Sequence, residues 1–151
     1  MMRSRSGMLR SPKTRGDSTG LNQTLGELAY DEFGNLTKTT DARGKFTTMT
    51  VNRLNQVTQV TSPLGYDTKF YYDASDNLTK TEVENGGSVD GSGDFVTLLA
   101  YDLLDNLTSR TEDKNASITE VTTYAYDAED RLTLVTDPES SKVCYTFNDL
   151  G

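Results

Sequence analysis

Carboxylates are the groups in this 151-residue chain most suited to chemistry: 23 Asp and Glu stand against 15 Lys and Arg, for a net charge of −8. A glycoside-cleaving pair needs two carboxyls about 5 to 10 Å apart in unlike environments, one acid and one base. Asp73, Asp102 and Asp127 instead recur at one position of a repeated phrase (FYYDASDNLTKT, LAYDLLDNLTSRT, YAYDAEDRLTLVT), and nothing in the sequence singles out such a pair. Histidine is absent, which excludes Ser-His and Cys-His nucleophile systems and removes the commonest metal ligand. Cys144 is the only cysteine, so an intrachain disulfide and a cysteine zinc cluster are excluded; between Val143 and Tyr145 it reads as a packed or half-buried thiol in a strand. The insertion Gly86 to Asp94 (GGSVDGSGD) alternates Asp90, Ser92 and Asp94 with glycine, as oxygen ligands do in calcium loops. It lacks the twelfth-position Glu of such loops and occurs once, so a flexible Gly/Ser loop is expected. The chain is expected to be no enzyme and to hold no cofactor or metal.

A phrase that recurs at fixed spacing marks a structural unit that stacks on copies of itself. Aligned on the residue before the turn (Tyr30, Val51, Tyr72, Tyr101, Tyr126 and Phe147), the copies are 21, 21, 29, 25 and 21 residues apart. Each anchor is followed by Asp or Asn: Asp31, Asn52, Asp73, Asp102, Asp127 and Asn148. Three residues further on stands Gly34, Asn55, Asp76, Asp105, Asp130 or Gly151. The first set folds its side chain onto the backbone in an Asx turn; the second contains only residues that tolerate φ > 0. Together they predict a β-hairpin whose type I turn closes through a left-handed residue. In that loop Tyr30 pairs with Leu36, Val51 with Val57, Tyr72 with Leu78, Tyr101 with Leu107 and Tyr126 with Leu132. Such cross-strand pairs contribute roughly 0.2 to 1 kcal/mol each.

Two residues before the anchors stand Leu28, Met49, Phe70, Leu99, Tyr124 and Tyr145, so period-two alternation predicts an apolar stripe on one sheet face. The other face, with Thr37, Thr58, Thr79, Thr108 and Thr133, reads as solvated or facing a polar cavity. A second turn ends each unit, at DARG (Asp41 to Gly44), SPLG (Ser62 to Gly65) and DPES (Asp137 to Ser140), and both lengthened copies are enlarged there. The fold predicted is all-β, a long antiparallel hairpin meander of about eleven strands with one buried face and two unpaired edges.

The phrases YDEFGNLTKTTDARGKFTTMT and LNQVTQVTSPLGYDTKFYYDASDNLT resemble the YD-repeat, or rearrangement-hotspot (Rhs), family, with the match running over about residues 28 to 151. The resemblance implies that five to six repeats form a curved segment of a hollow β-shell. Such shells enclose a C-terminal toxin in bacterial polymorphic toxins and toxin complexes, and related repeats build teneurin-type adhesion proteins. The implied function is a structural wall of an exported, toxin-encapsulating protein, whose partners are the rest of the shell and the enclosed toxin. The alternative is a surface-adhesion module binding glycan or protein. Two departures stand out. Asp76, Asp105 and Asp130 occupy positions that the family fills with Gly, at a cost in backbone freedom. Asp137-Pro138-Glu139-Ser140-Ser141 lacks the Gly-Leu of the motif that ends bacterial shells.

Residues 1 to 16 carry Arg3, Arg5, Arg10, Lys13 and Arg15 with no acidic residue, leaving 10 basic against 23 acidic in the remainder. Residues 1–26 are expected to be a disordered basic segment and 27–151 the repeat region. The acidic body argues against nucleic-acid binding. The head lacks the apolar stretch of a signal peptide and no segment reads as membrane-inserted, so the chain is expected to be an internal piece of a longer secreted or cell-surface protein. As an isolated piece it is expected to be marginally stable and prone to associate. Sequons at Asn22, Asn35, Asn77, Asn106 and Asn115 matter only in a eukaryotic secretory setting.

Overall fold

The computed structural model describes residues 26–84, 94–114 and 118–148. The basic head before residue 26, the glycine-rich insertion up to 93, the sequons at Asn22 and Asn115 and the last turn position at Gly151 lie outside the described residues. All regular structure among the described residues is strand. Eleven strands form one antiparallel sheet in which the order is that of the chain. Consecutive strands that need only a short turn to pair produce this order, because alternation and turn signals recur along the whole repeat region.

The chain divides into two compact units, Met1–Thr68 and Lys69–Gly151, with the border inside β5 (Asp67–Tyr72). The first contains β1 (Glu27–Tyr30), β2 (Leu36–Thr40), β3 (Phe46–Val51) and β4 (Val57–Thr61). The second contains β6 (Leu78–Val83), β7 (Phe95–Tyr101), β8 (Leu107–Lys114), β9 (Ile118–Tyr126), β10 (Leu132–Thr136) and β11 (Lys142–Cys144).

In the first unit Tyr30 lies opposite Leu36 and Val51 opposite Val57. In the second, Tyr101 lies opposite Leu107 and Tyr126 opposite Leu132. One step further from the turn every one of these hairpins slips by a residue. Ala29 pairs with Lys38, Thr50 with Gln59, Ala100 with Ser109 and Ala125 with Leu134. The residue left over is Thr37, Thr58, Thr108 or Thr133, each at a β-bulge. Its hydroxyl occupies the gap in the ladder, donating to the carbonyl of Ala29 (3.3 Å), Thr50 (3.2 Å), Ala100 (3.1 Å) or Ala125 (3.0 Å). Thr79 donates likewise to the carbonyl of Tyr71 at 3.2 Å. The threonines that alternation alone assigns to the solvated face are therefore built into the ladder.

The bulge also decides what faces the apolar stripe. After the slip Thr39 stands opposite Leu28, Val60 opposite Met49, Arg110 opposite Leu99 and Val135 opposite Tyr124. Arg110 is held on this face by an ion pair with Glu112, two residues along the same strand. Along β9, Thr122, Tyr124 and Tyr126 are half-buried while Val121, Thr123 and Ala125 are exposed. None of the described residues is fully buried, because a single sheet has no second layer to cover it.

Candidate functional site along the hairpin turns

With no described residue fully buried, contacts between neighbouring hairpins carry more of the sheet's stability. The turns supply these. In the turns that open at Asp31, Asp41, Asn52, Asp73, Asp102, Asp127 and Asp137, Oδ1 of the first residue accepts the backbone N–H groups two and four residues on, at 2.7 to 3.1 Å. Ser62 does half of this, accepting only from Tyr66 N–H at 3.1 Å. In all eight turns the fourth residue donates its N–H back to the carbonyl of the first, as Gly34 does to Asp31 at 3.2 Å. That residue is left-handed throughout: Gly34, Gly44 and Gly65, and also Asn55 (φ 62°), Asp76 (70°), Asp105 (64°), Asp130 (60°) and Ser140 (68°). The turns at Asp41, Ser62 and Asp137 thus repeat the backbone geometry of the Tyr-Asp turns, so one device serves both kinds of described turn.

The first residues divide into charged and neutral members doing the same work. Hydrogen bonds hold the Asp carboxyls below the usual range: chiefly the Asn35 side chain for Asp31, and chiefly the backbone N–H of Asn77, Asn106 and Arg131 for Asp73, Asp102 and Asp127. Asn52 performs the same double acceptance with a neutral amide.

The left-handed residue has a second task where it carries a side chain. In the first unit the amide of Asn35 donates to Asp31 Oδ2 in its own turn and to Asn55 Oδ1 in the next, both at 3.0 Å. In the second unit Asn77 donates to Asp73 Oδ2 (3.3 Å) and Asp105 Oδ1 (2.7 Å), and Asn106 to Asp102 Oδ2 (3.3 Å) and Asp130 Oδ1 (3.0 Å). Each Asn thereby clasps one hairpin to the hairpin that follows. Asp105 and Asp130, costly in a left-handed conformation by about 1 to 2 kcal/mol relative to Gly, recover part of that cost through an acceptor that Gly lacks.

The anchors clasp in the reverse direction. Paired residues between β6 and β7 run only from Lys80 with Leu98 to Val83 with Phe95, short of Leu78. There the phenol of Tyr101 reaches back to the Leu78 carbonyl at 2.9 Å. The β8–β9 ladder stops at Ser109 with Thr123, and the phenol of Tyr126 takes the Leu107 carbonyl at 3.0 Å. Burial, reinforced by the Asp73 charge, pushes the Tyr101 phenol above its ordinary pKa, which keeps it a donor. In the last copy Phe147 lacks the hydroxyl, and the Arg131 guanidinium lies 4.7 Å from its ring centroid.

Of the residues singled out in the sequence, Asp31, Asn52, Asp73, Asp102 and Asp127 thus open turns, and Gly34, Asn55, Asp76, Asp105 and Asp130 close them. Tyr30, Leu36, Val51, Val57, Tyr101, Leu107, Tyr126 and Leu132 form the cross-strand pairs; Tyr72 and Leu78 flank the Asp73 turn. Sequence reasoning missed Asn35, Asn77 and Asn106, the bulged threonines and the phenol hydroxyls. A hollow of about 660 Å³ lies between two turns of the first unit, lined by Phe33, Val51 and Arg53 beside the clasp residues. Phe33 and Leu54 project from their turns, 78% and 67% exposed. Among the described residues no group of His, Cys, Asp or Glu is arranged to hold a metal ion, and Cys144, expected to be packed or half-buried, is instead exposed, because β11 is an edge strand whose three residues are all exposed.

Two outcomes follow from this geometry. Tyr101→Phe removes the phenol's hydrogen bond to the Leu78 carbonyl and should lower unfolding free energy by about 1 kcal/mol, read from the urea midpoint; an unchanged midpoint would show that the phenol bond contributes nothing. The lowered carboxyls contribute stability that is complete above the unfolded carboxyl pKa of about 4 and is lost as pH falls through the lower folded values. The urea midpoint should therefore fall on acidification below pH about 4. The triple variant Asp73→Asn, Asp102→Asn, Asp127→Asn, which keeps the Oδ1 acceptors, should show a shallower fall.

Comparison with known proteins agrees with this architecture. The chain covers 87% of itself, and 7% of the other chain, in the crystal structure of TcdB2-TccC3-TEV, at 16% identity and a TM-score of 0.58. Against the Tc holotoxin pore of Photorhabdus luminescens it covers 90% of itself and 8% of that chain, at 14% identity and a TM-score of 0.52. At these identities the likeness is one of fold, and the chain spans less than a tenth of either structure's length. No curated protein matches the sequence. The family model described as RHS Repeat matches residues 52–89 and 101–142, more than half of the chain: the chain belongs to the RHS repeat family.

Proposed function

We propose that this chain is a structural wall segment of a larger, exported, shell-forming RHS protein that encloses a toxin, and that the repeats themselves perform no catalysis. The observation that carries this reading is the two-way clasp. The β7–β8 hairpin offers the Asn106 amide to the copy ahead and the Tyr101 phenol to the copy behind, while Asn77 reaches forward from the hairpin before it and Tyr126 reaches back from the hairpin after it, so this hairpin is complete only between neighbours. A fold in which each unit is finished by the next extends naturally into a large surface. The likeness to much longer Tc toxin chains supports the same reading, since this chain would account for a small part of such a wall.

A surface-binding role is the second reading, favoured by the hollow beside exposed Phe33 and Arg53, which offers a ring and a guanidinium to a glycan or protein. The experiment that separates them is to sequence both flanks of the reading frame and image the full-length product by electron microscopy. The wall reading predicts further Tyr-Asp copies in frame and a hollow particle with density inside. A product bearing a membrane anchor, with its repeats unclosed, would overturn it in favour of adhesion.

A further inference from the structure

Three of the sequons, Asn35-Leu36-Thr37, Asn77-Leu78-Thr79 and Asn106-Leu107-Thr108, are also the clasps. We propose that in these copies N-glycosylation and the folded wall exclude each other: folding closes the three sequons, and a glycan attached before folding uncouples the hairpins.

An Asn side-chain amide has two hydrogens, and in all three copies both are committed, one to the turn's first Asp and one to the left-handed residue of the next hairpin. Transfer from a lipid-pyrophosphate-linked oligosaccharide forms a bond from the amide nitrogen to the sugar C1. The bond from C1 to the pyrophosphate oxygen breaks, the lipid pyrophosphate leaves, and one amide hydrogen departs as a proton. The new carbon sits about 1.45 Å from nitrogen in place of that hydrogen. The acceptor oxygens already stand 2.7 to 3.3 Å from the same nitrogen. A carbon inserted on either line would meet oxygen at about 2 Å or less, whereas even a close carbon–oxygen contact needs about 3.3 Å. The sugar therefore cannot be accommodated until the amide swings out, which breaks the link to the neighbouring hairpin.

The third residue of each sequon is closed as well. Thr37 and Thr108 are bulge residues, and the hydroxyls of Thr37, Thr79 and Thr108 are spent on the carbonyls of Ala29, Tyr71 and Ala100. A transferase that must engage the Asn amide and the Thr hydroxyl together finds both in use. The consequence is a restriction on where such a wall is assembled: it folds intact in a compartment that lacks asparagine-linked glycan transfer, or ahead of it.

The test uses the full chain made in bacteria, incubated with a eukaryotic oligosaccharyltransferase and a lipid-linked oligosaccharide, beside the same chain first digested with trypsin. Site occupancy is read by mass spectrometry. Occupancy at Asn35, Asn77 and Asn106 in the intact chain is expected to be below one-tenth of that in the peptides. Asp105→Ala, which removes one acceptor of Asn77, is expected to raise occupancy at Asn77 several-fold over Asn35. Intact chain modified as readily as its peptides, or an Asp105→Ala variant with no change at Asn77, would overturn the proposal.

Discussion

Seven of the eight described turns depend on one side-chain oxygen that accepts two backbone N–H groups at the start of the turn. That double acceptance fixes the loop length, and the loop length forces the fourth residue into the left-handed region at the sheet's rim. Once there, the side chain of Asn55, Asp105 or Asp130 lies within reach of the amide of the preceding hairpin. The turn therefore does more than reverse the chain. It positions the group by which one copy holds the next.

This matters because the described residues of the sheet include no buried core to fall back on. In a two-layer domain, burial of apolar area dominates and turn chemistry is a refinement. Here Tyr101 and Tyr126 are half-covered and face Leu107 and Leu132, and each side chain contributes only part of what full burial would give. Directed bonds between copies carry a correspondingly larger share. The choice of Tyr over Phe at these anchors follows, since the phenol satisfies a carbonyl where the backbone ladder has already ended.

Much of this was legible in the sequence. The anchors, the Asx positions and the residues tolerant of positive φ recur at short, fixed offsets, and each is a local preference that a single copy reveals. The bulge was not legible, because Leu-Thr reads as two ordinary alternating residues until the partner strand is seen to skip Thr37, Thr58, Thr108 and Thr133. The clasps were hidden for another reason: they join residues 20, 28 and 24 positions apart, beyond any local periodicity. A signal was present all the same. Asn35, Asn77 and Asn106 are each followed by a copy bearing Asn or Asp at the left-handed position, whereas Arg131 precedes a copy bearing Gly151 there. Asp105 and Asp130, which look like a cost when compared with a family Gly, are acceptors of this code.

The central claim, that the turn side chain organises the neighbouring hairpin as well as its own, is tested most directly by amide hydrogen exchange on Asp102→Ala beside Asp102→Asn. The Asn variant keeps the acceptor oxygen and is predicted to preserve protection throughout. The Ala variant is predicted to lose protection at residues 102–106 and also around Asn77 in the preceding hairpin, through the freed Asp105. Loss confined to residues 102–106 would contradict the account, leaving the turns as local loops with no hold on the copies beside them.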